Sequence, residues 1–239
     1  MRRSHAHGFR NWNYVGRSCM SYDKPMSYSG LSLWRECPRK WFHRYKEGYY
    51  EPPGPAAVRG TEVHSDLELY FAAEEGQEVQ MKHHKILTPW LRKLSEFYGL
   101  GAEPEGEVAV DSNWKRVAWD SPDAYFRGII DLRWRDENVV HILDWKTGRI
   151  RANHVYQGEA YVALEEDADD YRTHFAYIDH PTIIHTRPYT DSERHAFQQK
   201  IGEEIEEVRN ARDYPETPGN GCRWCALNWR SGGPCKKAP

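Results

Sequence analysis

The feature that most constrains the fold is a pair of short apolar segments, residues 128–131 and 141–148, that both read as β-strands. A two-residue turn at 137–138 would join them as an antiparallel hairpin. In that register Asp131 lies directly opposite Asp144 on one face of the pair. A slip of one residue would separate them. The sequence therefore predicts a hairpin that carries two facing carboxylates.

Side chains alternate between the two faces of a hairpin, so Lys146 is expected to share the face of Asp144. The opposite face is expected to be apolar, and it consists of Ile130, Leu132, Trp134, Leu143 and Trp145. Two like charges directly opposite each other cost a few tenths to about 1 kcal/mol, so a divalent cation between Asp131 and Asp144 is the natural explanation for the pair.

A coarse pass along the chain predicts a mixed α/β fold with helices flanking one sheet. Helices are expected near residues 30–47, 56–75, 86–99, 153–165 and 190–212, and strands near 171–178 and 182–187. Four further short strands are expected between Gly106 and Lys146. The last helix opens with a capping box formed by Thr190 and Glu193.

The length of 239 residues allows one elaborated domain or at most two small ones. No apolar run approaches the roughly 20 residues of a membrane span, and the polar N-terminus lacks the apolar stretch of a signal peptide. We therefore expect an intracellular protein that does not contact membranes.

Charge is distributed unevenly around the formal net value of −3. Residues 1–46 hold ten basic and two acidic residues, residues 222–239 hold four basic and no acidic ones, and residues 47–221 therefore carry −15. Basic ends around an acidic centre could bind a polyanion, although a solvated surface with a disordered tail explains residues 1–20 alone equally well.

Cysteine spacing is the second strong signal in the sequence. Cys37 lies early, Cys222, Cys225 and Cys235 are grouped near the C-terminus, and Cys19 is left over. Thiolates at such spacing suit an iron–sulfur cluster or zinc, and disulfides are disfavoured in a cytosolic chain. The alternative is that these are unrelated free thiols.

Together these motifs resemble the RecB-like branch of the PD-(D/E)XK nuclease superfamily, and more narrowly its iron–sulfur members, such as the AddB nuclease domain and the CRISPR-associated adaptation exonucleases. The resemblance is carried by residues 29–40, Gly60 to His64, Gly128 to Asp131, Asp144 to Lys146 and Gln157 to Tyr161. Nine residues separate Cys225 from Cys235, where relatives often have about five. The third C-terminal cysteine ligand therefore departs from the family pattern.

The resemblance implies a restriction-endonuclease-like core formed by one domain over residues 28–239, after a basic extension over residues 1–27. It implies a Mg²⁺ or Mn²⁺ site formed by His64, Asp131, Asp144 and the backbone carbonyl of Trp145. Lys146 would position or deprotonate water. A structural [4Fe–4S] cluster would be held by Cys37, Cys222, Cys225 and Cys235, with zinc as the alternative occupant.

Two groups of side chains complete the predicted site. Gln157 and Tyr161 lie four residues apart and so share one helix face, where they could contact a nucleotide or brace Lys146. Packing of Tyr161 in the core is the competing interpretation. The basic residues of the first helix, Arg35, Arg39, Lys40 and Arg44, are candidates to bind DNA phosphates. Glu107 could add a carboxylate, although a position at the rim is the stronger expectation.

The resulting hypothesis is a metal-dependent DNA nuclease, most simply an exonuclease acting on single-stranded DNA or DNA ends in recombination, repair or replication. Its expected partners are DNA and replication or recombination proteins, and its expected location is the cytoplasm of a prokaryote or a phage-infected cell. The alternative is a nucleic-acid-binding or assembly module, stabilised by zinc or an iron–sulfur cluster, without catalytic activity.

Overall fold

The computed structural model describes residues 22–49, 51–73, 77–151, 154–181 and 183–236. Cys19 and most of the predicted basic extension lie outside these ranges. The helices are α1 (Tyr28–Glu36), α2 (Pro38–Tyr45), α3 (Pro55–Ala72), α4 (His84–Leu87), α5 (Leu91–Gly99), α6 (His154–Leu164) and α7 (Asp191–Asn210). The strands are β1 (Glu103–Val110), β2 (Arg116–Val117), β3 (Phe126–Asp136), β4 (Val139–Lys146), β5 (Asp170–Tyr177) and β6 (Ile184–Thr190).

The strands form one six-stranded mixed sheet in the order β2-β1-β3-β4-β5-β6. Neighbours pair antiparallel except β4 and β5, which are parallel. The connection between these two parallel strands is the crossover helix α6, as a parallel pair requires. The predicted α/β architecture, a central mixed sheet flanked by helices, is confirmed.

Two hydrophobic cores lie on opposite faces of the sheet. The first core joins α1, α2, α6 and α7 to the sheet and includes Trp41, Phe126 and Ile142. The second joins α3, α4 and α5 to the other face and includes Trp90 and Leu143. Strand β4 lies between the two cores and is buried along almost its whole length, as expected for a strand covered on both faces.

The hairpin of β3 and β4 has the predicted register. Asp136 pairs with Val139, and the last rung pairs Leu132 with Leu143. One residue beyond that rung, the same register sets Asp131 opposite Asp144. Glu137 in the turn has a φ of 50°, in the left-handed region that such two-residue turns require. The register that sets the two carboxylates side by side is therefore confirmed.

One prediction about the hairpin faces is wrong. Leu132 and Trp134 pack in the second core, whereas Ile130 packs in the first core with Ile142. Strict alternation would place Ile130 with Leu132. The β1–β3 ladder pairs Gly106 with Ile130 and Pro104 with Leu132 but skips the rung between them, so the alternation of β3 is interrupted at this point.

The predicted first helix is also interrupted. It divides at Cys37, which has an extended backbone (φ −166°, ψ 107°) and lies between α1 and α2. The reason is Pro38, because a residue that precedes proline avoids the helical region. The predicted helix near 86–99 likewise consists of α4, a 3₁₀ turn at Thr88–Trp90 and α5.

The capping box at the start of α7 is present, with Thr190 and Glu193 exchanging hydrogen bonds. Among the described residues, no helix combines the length and apolar character needed to cross a membrane.

Candidate active site

Asp131, in the middle of β3, and Asp144, near the end of β4, are almost fully buried, with exposed fractions of 9% and 2%. The Asp131 carboxylate accepts a hydrogen bond of 2.7 Å from the backbone N–H of Trp145. This bond follows the last β3–β4 rung, so the side chain occupies the place where the ladder would continue. Asp131 is thereby fixed by backbone as well as by packing.

Asp144 is held by a lysine and an amide. Its Oδ1 atom accepts a hydrogen bond of 2.7 Å from Gln157, and its Oδ2 atom forms an ion pair with Lys146. Oδ2 is buried and accepts no well-aligned hydrogen bond from any described residue. Burial, followed by the nearby charge of Asp131, raises the pKa of Asp144 to about 7, and Lys146 offsets only part of this. A cation beside Asp131 and Asp144 would offset this repulsion and favour the ionised form of Asp144.

Lys146 is oriented by α6. Its ammonium donates a hydrogen bond of 2.7 Å to Gln157, whose amide nitrogen lies 2.8 Å from the Tyr161 hydroxyl. Burial raises the pKa of Tyr161 well above its ordinary value, so the phenol stays protonated. The structure thus brings together Asp144, Lys146, Gln157 and Tyr161, and it places Gln157 as a brace for Lys146.

His64 reaches the same site from α3, on the opposite face of the sheet. Its Nε2 atom lies 3.0 Å from the carbonyl oxygen of Trp145, and its Nδ1 atom lies 3.5 Å from Asp131. Burial lowers the pKa of His64, but the hydrogen bond to Asp131 and the charges of Asp131 and Asp144 outweigh burial and raise it to about 9. The imidazole is therefore held against the predicted carbonyl ligand.

A third acidic residue, Glu105, completes a group of possible metal ligands. One ligand atom from each of His64, Glu105 and Asp131 falls within 4.8 Å of the others. Burial, followed by the charge of Asp131, raises the pKa of Glu105. Carboxylate oxygens with one imidazole suit Mg²⁺ or Mn²⁺. His64, Glu105 and Asp131 therefore form a donor set that fits a divalent cation. The Asp144 carboxylate lies beside them, but its oxygens contact Lys146 and Gln157.

Sequence reasoning missed Glu105. Glu103, Glu105 and Glu107 alternate along β1, and Glu107, the one considered, is exposed. Glu105 has a φ of 47° and lies at the skipped rung opposite Asp131. A run of alternating glutamates does not indicate which of them adopts a left-handed backbone conformation. The sequence pattern alone could therefore not identify Glu105 as the residue that faces Asp131.

The loop after Lys146 is tied to α3 by a residue that the sequence did not indicate. Asp179 accepts hydrogen bonds from both terminal nitrogens of the Arg59 guanidinium and from the backbone N–H of Gly148, the latter at 2.6 Å. The hydrogen bond from Arg59 lowers the pKa of Asp179. This clamp joins the helix that carries His64 to the strand end that carries Lys146.

We expect Asp179→Ala to lower the stability of the fold by about 1 kcal/mol and to raise the metal concentration needed for activity, because the clamp aligns His64 with the end of β4. Because folding lowers the pKa of Asp179, its carboxylate adds to the free energy of unfolding at pH values above its unfolded-state pKa. This stabilisation is lost as the pH falls through the lower pKa of the folded state. Thermal melts and metal titrations measure both effects. Arg92→Ala, which removes an exposed pair on α5, is the control, and equal metal titrations would contradict the clamp.

The four predicted cluster ligands Cys37, Cys222, Cys225 and Cys235 line one cavity of about 150 Å³. All four are half-buried free thiols. Any two ligands of one zinc ion lie within about 4.6 Å, because each zinc–sulfur bond is about 2.3 Å long. Among the described residues, no three of these sulfur atoms lie within 4.8 Å of one another. The arrangement is therefore wider than a single zinc ion requires.

The unusual spacing before Cys235 is absorbed by a compact turn. A 3₁₀ turn at Trp229–Ser231 is followed by Gly232 in the left-handed region, with a φ of 83°. Cys235 then returns to donate a backbone hydrogen bond of 2.8 Å to Leu227. A Cβ atom at Gly233 would lie 2.2 Å from the backbone of Leu227, so this approach requires glycine.

The predicted DNA-binding cations are largely engaged with acidic residues. Arg35 stacks 3.3 Å from the ring centre of Tyr156 and forms an ion pair with Glu204. Arg39 lies 3.5 Å from Glu216, and Lys40 lies 3.5 Å from Glu36 and 3.7 Å from Glu51. Arg44 is exposed. Arg39 and Lys40 therefore connect α2 to the cysteine cavity, since Glu36 and Glu216 line it.

A buried carboxylate pair, a lysine and a histidine on a restriction-endonuclease-like sheet define a nuclease type of site. A sequence model of the PD-(D/E)XK nuclease superfamily matches residues 25–230, and the chain belongs to that superfamily.

Comparison with solved structures shows the same fold. The chain is similar to a candidate exonuclease from Eubacterium rectale, with a TM-score of 0.55, 14% identity and 96% of each chain covered. It is also similar to the protein SSO0001, with a TM-score of 0.47, 18% identity, 94% of this chain covered and 90% of that chain. A search of curated protein sequences gives no match. Membership of the superfamily supports nuclease activity on DNA.

Proposed function

We propose that this chain is a metal-dependent deoxyribonuclease of the RecB-like branch that hydrolyses phosphodiester bonds, acting as an exonuclease on single-stranded DNA or DNA ends in recombination, repair or replication. The observation that carries the proposal is the buried network of Asp144, Lys146 and Gln157 with Asp131 beside it. Buried charges of this kind do little for stability, and they cluster where catalysis needs them.

The residues that would hold Mg²⁺ or Mn²⁺ are His64, Glu105, Asp131, Asp144 and the carbonyl oxygen of Trp145. Bound there, the cation supplies polarisation of the scissile phosphate and offsets charge on the leaving oxygen. Asp131 is kept in place by the Trp145 N–H, so this part of the site is preorganised. Such preorganisation avoids rearrangement during the reaction.

Lys146 lies on the side of Asp144 that faces Gln157 and α6. Gln157 and Asp144 hold its ammonium in one position, from which it can orient a water molecule or contact a phosphate oxygen. Tyr161 keeps the Gln157 amide turned towards Asp144. The lysine is therefore positioned by the Gln157 amide and the Asp144 carboxylate together.

We also propose that the cysteine cavity binds a structural [4Fe–4S] cluster rather than zinc. The support is the convergence of four thiols on one cavity, where no three of the described sulfur atoms lie as close together as the ligands of one zinc ion. Thiolates are the usual ligands of such clusters. The cluster would join the segment after α1 to residues 222–235.

Labelled single-stranded and double-stranded DNA incubated with Mg²⁺, Mn²⁺, Ca²⁺ or EDTA tests the nuclease proposal. We expect cleavage with Mg²⁺ or Mn²⁺, none with EDTA, and faster cleavage of single strands or frayed ends. Covalently closed single-stranded circles distinguish an exonuclease from an endonuclease, because they have no ends. Undiminished cleavage in EDTA, or none with either metal, would reject the proposal.

We expect His64→Ala to raise the Mn²⁺ concentration for half-maximal cleavage by about tenfold or more. Removing a group that only supports a metal ligand already lowers metal affinity by about this factor, and His64 would be a ligand itself. Saturating Mn²⁺ should restore part of the rate, because the carboxylates remain. Metal binding requires the neutral imidazole, so wild-type affinity should rise with pH up to the His64 pKa of about 9, and the variant should respond less steeply. His195→Ala, on an exposed face of α7, is the control. Wild-type metal dependence in the variant would make His64 a packing residue.

A further inference from the structure

Two exposed tryptophans distinguish the C-terminal cysteine segment from the rest of the described chain. Trp224 is 83% exposed and Trp229 is 52% exposed, whereas Trp34, Trp41 and Trp90 are buried. An indole ring exposes a large apolar surface, and tryptophans left on a surface commonly mark a binding site. Both lie on 3₁₀ turns around the cysteine cavity, at Asn220–Trp224 and Trp229–Ser231.

The charges next to these rings are positive and uncompensated. Residues 222–239 contain four basic and no acidic residues. Arg223, Arg230 and Lys236 are exposed, and none of the ion pairs within the described ranges involves them. Arg230 lies 5.4 Å from the ring centre of Trp229. Arg39 and Lys40, by contrast, face carboxylates, and the acidic residues at the cavity, Glu36 and Glu216, are already paired with them.

Helix α1 connects this surface to the active site. Its first residue, Tyr28, packs against Tyr156 at 5.7 Å between ring centres, next to Gln157 of the active-site network. Its last residue, Glu36, lines the cysteine cavity. Nine helical residues span about 13 Å. At the roughly 3.4 Å per nucleotide of a stacked strand, about four nucleotides match the length of this helix.

We propose that Trp224 and Trp229 form a stacking surface for unpaired bases of a single-stranded nucleic acid whose phosphates are held by Arg223, Arg230 and Lys236. This proposal rests on the nuclease function proposed above and assigns it a second contact with its substrate. Every base has a face that stacks on an indole, and the neighbouring cations match the phosphate charge. In a duplex those faces are covered by neighbouring bases, so a single strand is the ligand that fits.

The test is the affinity of the full-length protein for fluorescent oligothymidylates of about 4 and about 12 nucleotides, measured by anisotropy in EDTA so that no cleavage occurs. We expect the double variant Trp224→Ala, Trp229→Ala to bind the longer oligonucleotide at least about 25-fold more weakly, about fivefold for each ring. The short oligonucleotide should lose much less if it binds near the active site. Titration of the wild-type protein should also quench tryptophan fluorescence.

Two further variants keep the result interpretable. Trp224→Phe, Trp229→Phe retains aromatic faces and should recover much of the affinity. Leu100→Ala removes a side chain of similar exposure (52%) at the end of α5, which packs on the other face of the sheet, and should change nothing. An unchanged affinity in the alanine variant overturns the proposal, as does an equal loss for blunt duplex DNA. If the alanine variant changes only the oligomeric state in sedimentation, the surface joins copies of the chain instead. Because binding is measured without metal, these outcomes are independent of whether the protein cleaves DNA.

Discussion

Asp144→Asn is expected to lower the rate of DNA hydrolysis by about 10³-fold, the range typical of losing a group that acts directly in the reaction. The substitution keeps the shape of the side chain but removes the charge that faces both the cation and Lys146. Lys146→Met, which keeps the apolar stem, should cause a loss of the same order. Single-turnover cleavage of labelled DNA with saturating metal measures both rates.

Measuring the thermal stability of Asp144→Asn distinguishes a catalytic effect from misfolding. Burial and Asp131 raise the pKa of Asp144 to about 7, so between the unfolded pKa near 4 and pH 7 the native state binds more protons than the unfolded state. Stability therefore falls as the pH rises through this window, and asparagine removes that dependence. In EDTA above pH 7, Asp144→Asn should melt no lower than the wild type. Asp136→Asn, at the exposed end of the same hairpin, should change neither rate nor stability. Wild-type cleavage by the folded Asp144→Asn variant would reject the site.

Cys37→Ser is expected to remove the cluster and to have the second largest effect. Anaerobically purified wild-type protein should be brown and contain iron and labile sulfide, and the variant should be colourless. The cluster would close a loop between Cys37 and residues 222–235, so its loss should also destabilise the C-terminal segment and weaken DNA binding. Metal analysis, limited proteolysis and anisotropy measure these three effects.

The cysteine that lies outside the described residues provides the matched control for this experiment. Cys19→Ser should retain colour, iron content and affinity. Stoichiometric zinc without iron or sulfide would replace the cluster by a zinc site. Freshly prepared anaerobic protein that contains no metal at all would contradict the proposed role of the cavity.

The hairpin was predictable because two local rules act on it together. The two-residue turn fixes the register that sets Asp131 opposite Asp144, and Lys146 shares the face of Asp144 by the alternation of β4. Gln157 and Tyr161 were predictable as neighbours for a similar reason, since residues four apart on a helix share a face. The centre of the site is thus encoded over short distances.

Other parts of the site depend on contacts that have no local signal. Arg59 and Asp179 are 120 residues apart and meet only when α3 packs beside the end of β5. Glu105 faces Asp131 because of a left-handed backbone position within β1. The break at Cys37 has a local cause in Pro38, but the helical pattern on either side of it conceals the break.

The position of β4 between two hydrophobic cores gives the site two mechanically separate supports. His64 projects from α3, which is anchored in one core, and Gln157 projects from α6, which is anchored in the other. The position of the proposed metal ligand His64 and the position of Lys146, which Gln157 holds, therefore depend on different packing layers. Changes in one layer can adjust cation affinity, and changes in the other can adjust the proton and phosphate contacts of Lys146, so the two properties can diverge independently among proteins that share this sheet.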